Sequence, residues 1–326
     1  MNPIKRLIST ADRFTTGLVV SILCAVFVPC YGVGDVIFSH ISNVAIMLLF
    51  FLYGAKLSRG AVMDGLLHWR LQGIVALSTF VLFPLAGLML QPVLAPMLTP
   101  ELSMGLLYVC FLPSTVQSSI AFTSIAKGNV AAAVCAASVS SLLGVFMTPL
   151  LVGMLLTTTG GLGGLSWGIF ADICLIILVP FVLGQLVQRW VGSWVREHHL
   201  LTSWTDQSTI WLVVYAAFSH AIVQGVWRSI PLCSLGWVLV SCAIILAFAL
   251  VWTAWLSRVL GFNREDRIAI IFCGSKKSLA TGIPMMNVIF AGSPIGILVI
   301  PLMVFHQMQL MVCAFLAKRW SSRQVL

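Results

Sequence analysis

The chain has 326 residues, of which 60% are hydrophobic and only 8% are charged. Soluble proteins carry about 25% charged residues, so this composition excludes a soluble globular protein, a disordered chain and a coiled coil. The net charge of +9 does not indicate nucleic-acid binding, because the basic residues lie singly or in small clusters between apolar runs, as they do beside membrane spans. The apolar runs are long and continuous, which favours helices over a β-barrel. The sequence therefore predicts an all-α polytopic membrane protein.

Ten apolar segments are candidate membrane spans, since crossing about 30 Å of hydrocarbon takes about 20 helical residues. In chain order they are 16–33, 41–56, 71–90, 102–126, 130–156, 167–188, 207–227, 235–256, 268–290 and 294–317. If the N-terminus is cytoplasmic, fifteen of the eighteen basic residues fall on the inner side and Arg228 alone falls outside. This asymmetry follows the positive-inside rule. It predicts a multi-pass protein of the cell inner membrane with both termini in the cytoplasm.

The fourth span contains a proline followed by a dense polar cluster, Pro113-Ser114-Thr115-Val116-Gln117-Ser118-Ser119. Proline removes a backbone hydrogen bond, and lipid offers no replacement. A stretch of this kind persists in a membrane where it faces protein or a water-filled cavity. A kinked helix with its hydroxyls packed against neighbouring helices is the alternative interpretation.

The ninth span carries two adjacent lysines in the segment Gly274-Ser275-Lys276-Lys277-Ser278. Lys276 follows Arg267 by nine residues, which places it about 14 Å deep at 1.5 Å per residue. A lysine at that depth costs at least about 2.5–3.5 kcal/mol and indicates a functional site. Adjacent helical residues point about 100° apart, so one ligand can meet both lysines only if the helix is broken. The alternative is an internal ion pair, for which Asp172 is the candidate partner.

The two polar segments lie at matched positions, in the fourth span of each set of five. Because five is an odd number, the second set enters the membrane from the opposite side, which is the layout of an inverted repeat. Interrupted polar helices at matched positions indicate the midplane site of a transporter. The candidate substrate-binding residues are Ser114, Thr115, Gln117, Lys277, Ser278 and Thr281.

Polar residues of the fifth and tenth spans are secondary candidates. Ser138 and Ser141 share a helix face and could offer oxygen ligands to a cation, with Ser140 beside them; small residues there would equally let helices pack closely. His306 is either a protonatable coupling residue or a neutral histidine hydrogen-bonded inside the bundle. The nine cysteines lie in or beside apolar runs without metal-ligand spacing, so we expect buried apolar residues and no metal centre.

Several segments resemble the bile acid:sodium symporter (BASS) family, specifically its bacterial branch of solute symporters. The resemblance covers essentially the whole chain. It is carried by residues 49–59, 112–118, 121–124, 128–132, 272–280 and 302–307.

This resemblance implies ten helices in two inverted five-helix repeats, an NhaA-like fold in which broken helices 4 and 9 cross near the midplane. A panel domain (helices 1, 2, 6 and 7) would comprise residues 1–69 and 160–229. A core domain (helices 3–5 and 8–10) would comprise residues 70–159 and 230–326. The family implies alternating access by motion of core against panel, with an organic anion in the crevice between them. In its sodium-coupled members two sodium ions lie behind the crossover.

Carried over residue by residue, the family's sodium ligands fall on three helices. Ser118 and Ser119 correspond to the ligands of helix 4, and Ser138, Ser140 and Ser141 to those of helix 5. On helix 9 the acidic ligand falls at Phe272 and the glutamine at Lys276. An ammonium about 4 Å from sodium repels it by about 4 kcal/mol at an effective dielectric of 20. We hypothesise that Lys276 replaces one or both ions, which would make transport sodium-independent, proton-linked or facilitative.

The sequence thus predicts a secondary-active transporter of a small organic anion, coupled to Na⁺ or H⁺ or to neither. The ion-coupling candidates are Ser118, Ser119, Ser138, Ser140, Ser141, Lys276 and His306. The expected partners are the lipid bilayer and the anion; no cofactor is expected, and the oligomeric state is open. A channel and a non-transporting regulator of ion homeostasis are the alternatives. An enzyme is not predicted, because the chain lacks paired intramembrane acids and an HExxH motif.

Overall fold

The computed structural model describes residues 3–56, 68–158, 171, 173–225 and 231–322, and these residues form helices and turns without any strand. The helices are α1 (Pro3–Phe27), α2 (Val33–Lys56), α3 (Trp69–Met97, with a π-helical turn over Ser78–Leu82), α4 (Pro100–Phe111), α5 (Gln117–Ile125), α6 (Val130–Thr158), α7 (Val179–Glu197, preceded by a π-helical turn over Cys174–Leu178), α8 (His199–Val223), α9 (Leu232–Val259), α10 (Arg264–Gly274), α11 (Leu279–Ile289), α12 (Ile295–Leu298) and α13 (Ile300–Ser322).

Among the described residues, six helical segments are long and apolar enough to cross a bilayer: α2, α3, α6, α9, Cys174–Val195 and Ile295–Ser321. The segments Phe14–Phe27 and Pro100–Phe111 are apolar but shorter. Many large apolar side chains are exposed, among them Phe27, Met89 and Met311, as expected for a surface that faces lipid. The predicted all-α polytopic membrane protein is confirmed, while the count of ten spans in inverted repeats stays a prediction.

The chain forms two compact units, each assembled from separate stretches of sequence. The first unit contains residues 1–56, 168–230 and 283–297, and the second contains residues 57–167, 231–282 and 298–326. Both of the polar segments that interrupt apolar spans belong to the second unit.

In the first unit, α2 and α7 pack backbone against backbone through two glycines. A Cβ atom on Gly54 would overlap the carbonyl oxygen of Phe181, and one on Gly184 would overlap that of Phe51. Gln185 Nε2 donates to the carbonyl of Gly54 at 2.7 Å. Small residues allow this close approach of transmembrane helices, so the contact depends on both glycines.

We expect Gly54→Val to lower the thermal stability of the purified protein, because the added side chain must push α2 away from α7. Overpacking of this kind costs about 1–3 kcal/mol. Gly73→Val is the matched control, since a Cβ at Gly73 meets no atom within 4 Å. Equal melting temperatures for the two variants in detergent would contradict the close packing of α2 against α7 at Gly54.

In the second unit, α6 supports the end of α4 where the first polar segment begins. Thr148 Oγ1 donates to the carbonyl of Phe111 at 2.8 Å, and a Cβ on Gly144 would overlap the ring of Pro113. Tyr108 OH donates to the carbonyl of Gly282 at 2.8 Å and so ties α4 to α11. These contacts hold the end of α4 beside the second polar segment.

Candidate functional site

Two non-helical segments meet inside the second unit. Residues 112–116 separate α4 from α5, and residues 275–278 separate α10 from α11. Leu112 is extended (φ −76°, ψ 153°), as the residue before a proline prefers to be. The backbone N–H of Ser278 donates to the carbonyl of Pro113 at 2.9 Å. We call these two segments together the crossing.

Lys277 satisfies the carbonyl end of α4. Its side chain is fully buried, and its Nζ donates to the carbonyls of Thr79 at 2.9 Å, Cys110 at 3.0 Å and Leu112 at 2.7 Å. The last carbonyls of a helix lack partners within that helix and carry partial negative charge. The ammonium supplies both hydrogen bonds and opposite charge to that end, and the Phe83 ring lies 4.0 Å from Nζ.

Gln309 of α13 holds the backbone of the same lysine. Its Oε1 accepts from the N–H of Lys277, and its Nε2 donates to the Lys277 carbonyl, both at 2.8 Å. Nε2 also lies 3.0 Å from Nδ1 of His306. Gln309 is fully buried, and its side chain satisfies two main-chain groups at a point where the helix is broken.

The carbonyl end of α10 is satisfied by one hydroxyl from the first segment of the crossing and one from the first turn of α5. Ser114 Oγ donates to the carbonyl of Cys273 at 2.5 Å, and Ser119 Oγ donates to that of Phe272 at 3.1 Å. The N–H of Ser114 in turn donates to Ser140 Oγ of α6 at 3.0 Å. The C-terminal carbonyls of α4 are therefore satisfied by a donor from the segment after α10, and those of α10 are satisfied by donors that follow α4 in the chain.

The remaining predicted residues occupy varied environments. Thr115 Oγ1 lies 2.7 Å from Ser118 Oγ and 3.1 Å from Ser119 Oγ. Gln117 is exposed at the start of α5, and Ser138 and Ser141 are half-buried on α6. Ser278 Oγ accepts from the N–H of Thr281 at 3.3 Å, and Thr281 Oγ1 is buried without a hydrogen-bond partner among the described residues.

Lys276 differs from its neighbour in having no hydrogen-bond partner for its fully buried Nζ within the part of the chain that the structure describes. The nitrogen lies 4.0 Å from the centre of the Phe122 ring and 5.4 Å from that of Phe272. Both rings belong to an apolar cluster with Ile268, Cys313 and other buried residues. A desolvated cation over an aromatic face gains about 2 kcal/mol, which is less than the cost of several kcal/mol for removing an ion from water.

The crossing carries two buried amines, and neither forms an ion pair with a residue that the structure describes. Asp172, the candidate partner of the lysines, lies outside the described residues. The described residues also contain no group of three or more His, Cys, Asp or Glu side chains able to hold a metal ion. The oxygen atoms available as ligands at the crossing are therefore those of hydroxyl and carbonyl groups.

Sequence reasoning located both polar segments and both lysines, but it missed three features of the site. These are the carbonyl of Thr79 in the π-helical turn of α3, the Phe122 and Phe272 rings around Lys276, and the backbone contacts of Gln309. A π-helical turn often marks a functional site, but nothing in the residue pattern predicted one at Ser78–Leu82.

Comparison with known proteins finds relatives over nearly the whole chain. A protein of Pseudomonas aeruginosa named PA2026, described as uncharacterized, is 56% identical over 313 residues, covering 96% of this chain and 94% of its own. YfeH of Escherichia coli, whose name describes a symporter, is 49% identical over 315 residues, with 97% and 94% covered. Sodium/bile acid cotransporter 7 of Mus musculus is 30% identical over 334 residues, with 98% and 97% covered.

The sequence model of the SBF-like CPA transporter family matches residues 12–322. Its members are transporters and not enzymes, and the resemblance to the bile acid:sodium symporter family is confirmed. With the family model matching nearly the full length and a symporter-named relative at 49% identity, the chain belongs to the SBF-like CPA transporter family.

Proposed function

We propose that this protein is a secondary-active transporter of a small organic anion and that it works by alternating access. The observation that carries the proposal is the pair of fully buried lysines at the crossing. A positively charged site at membrane depth attracts an anion and repels a cation. The interrupted helices beside it are the kind of structure that forms substrate sites in transporters.

We propose the ten-helix inverted repeat as the architecture of this transporter. Helices 3–5 and 8–10 form the core domain (70–159 and 230–326), and helices 1, 2, 6 and 7 form the panel domain (1–69 and 160–229). The division of the chain into two discontinuous compact units supports this assignment except at residues 283–297, which belong to the first unit. The distribution of basic residues supports an inner-membrane location with both termini in the cytoplasm.

We assign contact with the anion to polar residues in the crossing and in the first turns of α5 and α11. Thr281 Oγ1 is buried without a partner among the described residues, and Gln117 is exposed. Thr115 and Ser278 lie in the same two segments and complete the proposed set. Ser114 and Lys277 form hydrogen bonds to backbone carbonyls, so we give them a supporting role.

We assign ion coupling to Lys276. The mouse relative is named a sodium/bile acid cotransporter, which makes Na⁺ the first ion to test, with Ser118, Ser119, Ser138 and Ser141 as candidate ligands. In this chain, however, the Lys276 amine lies 4.0 Å from the centre of the Phe122 ring on α5, and no described residue forms a hydrogen bond that commits it to one protonation state. We therefore propose that Lys276 takes the place of the coupling ion and that transport is proton-linked or facilitative.

The test begins with the melting temperature of the purified protein against a panel of carboxylates, sulfonates and sterol conjugates, because a ligand that binds the native state raises the apparent stability. Uptake of each hit is then measured in proteoliposomes under imposed sodium or proton gradients. We expect saturable uptake and counterflow of at least one anion. Uptake that rises linearly without saturation would indicate a channel, and binding without any flux would favour a regulator.

A further inference from the structure

Three main-chain oxygens converge on one nitrogen at the crossing. The carbonyls of Thr79, Cys110 and Leu112 each lie 2.7–3.0 Å from Nζ of Lys277. An ammonium group has three protons, so each proton has one acceptor. The Phe83 ring, 4.0 Å from the same nitrogen, adds the attraction of an aromatic face for a cation.

This arrangement has the composition of a cation site. Transporters coordinate ions with the C-terminal ends of half-helices and with carbonyls of unwound backbone. Cys110 and Leu112 provide that kind of end, and Thr79 adds a carbonyl from a π-helical turn. The distances are those of charge-assisted N–H···O bonds, so the site has the dimensions of an ammonium group.

The backbone next to two of these oxygens, those of Cys110 and Leu112, is held by contacts that do not involve the lysine side chain. Thr148 Oγ1 binds the carbonyl of Phe111, next to Leu112. The N–H of Ser278 binds the carbonyl of Pro113, and Gln309 holds the peptide groups of residue 277. Truncation of the side chain would therefore leave three oxygens around an empty, negatively polarised space.

We propose that the Lys277 ammonium is a tethered cation occupying a monovalent-cation site built from the carbonyls of Thr79, Cys110 and Leu112, a site that a free ammonium-type cation fills when the side chain is removed. The covalent tether prevents this cation from leaving during transport, so the site holds the crossing together and does not couple to a gradient. This role is independent of the solute carried, and its test does not use transport.

The experiment compares Lys277→Ala, Lys277→Met and the wild type in detergent. The melting temperature is measured in methylammonium, ammonium, sodium or potassium chloride, with choline chloride keeping the ionic strength constant. In choline alone we expect Lys277→Ala to melt about 5–10 °C below wild type, because buried carbonyls lose a charged donor. Methylammonium or ammonium should restore several degrees in a saturable manner, as a bound ligand does.

Lys277→Met is the matched control, because it fills the space without charge and should gain nothing from any salt. Lys276→Ala is a second control, since that amine has no carbonyl partners among the described residues. The fraction of monodisperse protein extracted into each salt provides the same comparison if Lys277→Ala unfolds without a cation. Wild-type stability of Lys277→Ala in choline would overturn the proposal, as would a loss of stability that no cation reverses or a failure to fold in every salt.

Discussion

For a proton-linked carrier, Lys276→Met should abolish gradient-driven accumulation of the transported anion in proteoliposomes, leaving uptake that stops when the anion concentrations on the two sides are equal. The reason is that methionine cannot carry a proton between the two sides of the membrane. A monovalent anion that moves with one proton can be accumulated about tenfold by a gradient of one pH unit. The measurement is the steady-state ratio of labelled anion inside and outside, with an imposed pH gradient.

Two further variants separate charge from proton exchange. Lys276→Arg keeps a positive charge that is not released at any working pH, so it should also lose accumulation while retaining exchange. Lys318→Met removes an exposed lysine at the end of α13 and should behave as wild type. Strong stimulation of wild-type uptake by sodium, together with an unaltered Lys276→Met, would contradict the role assigned to this lysine.

Gln309→Leu should produce a large loss of stability, because Gln309 holds the backbone of Lys277 at the crossing. Leucine has a similar volume but leaves the buried N–H and carbonyl of Lys277 without partners. Each unsatisfied buried group costs about 1–3 kcal/mol, so the loss of about 2–6 kcal/mol for the two groups should lower the melting temperature by about 5–15 °C.

Gln307→Leu is the neighbouring control, because Gln307 is half-buried on the same helix. Burial of the leucine side chain should offset part of the stability lost with the hydrogen bonds of the glutamine. Its melting temperature should stay closer to that of the wild type. Similar melting temperatures for Gln309→Leu and the wild type would show that the backbone of residue 277 is satisfied in some other way.

Composition and hydropathy were sufficient to predict an all-helical membrane protein and to locate both interruptions. Pro113 and its polar neighbours raise the free energy of a continuous membrane helix, and so does a lysine nine residues past Arg267. Both effects follow from residue types alone, so the sequence was enough to find them. The sequence also indicated that adjacent lysines could not serve one ligand on a regular helix. Lys276 and Lys277 do have different surroundings.

The partners of those lysines could not be predicted in the same way. Lys277 binds main-chain carbonyls, and every residue of the chain has a carbonyl, so the acceptors leave no trace in the residue pattern. The surroundings of Lys276 are phenylalanines, which look like ordinary lipid-facing or core residues in a chain that is 60% hydrophobic. Long-range packing decides both environments.

The split between side-chain donors and main-chain acceptors at the crossing has a consequence for how such a site changes through evolution. In the bonds that satisfy the carbonyl ends of α4 and α10, the donors are the side chains of Lys277, Ser114 and Ser119, whereas the acceptors are main-chain oxygens. A main-chain oxygen survives replacement of its own side chain, so acceptor positions are free to drift within the limits of packing. A donor that is lost must be replaced by another donor, and half of the network is therefore hidden from any comparison of residue identities.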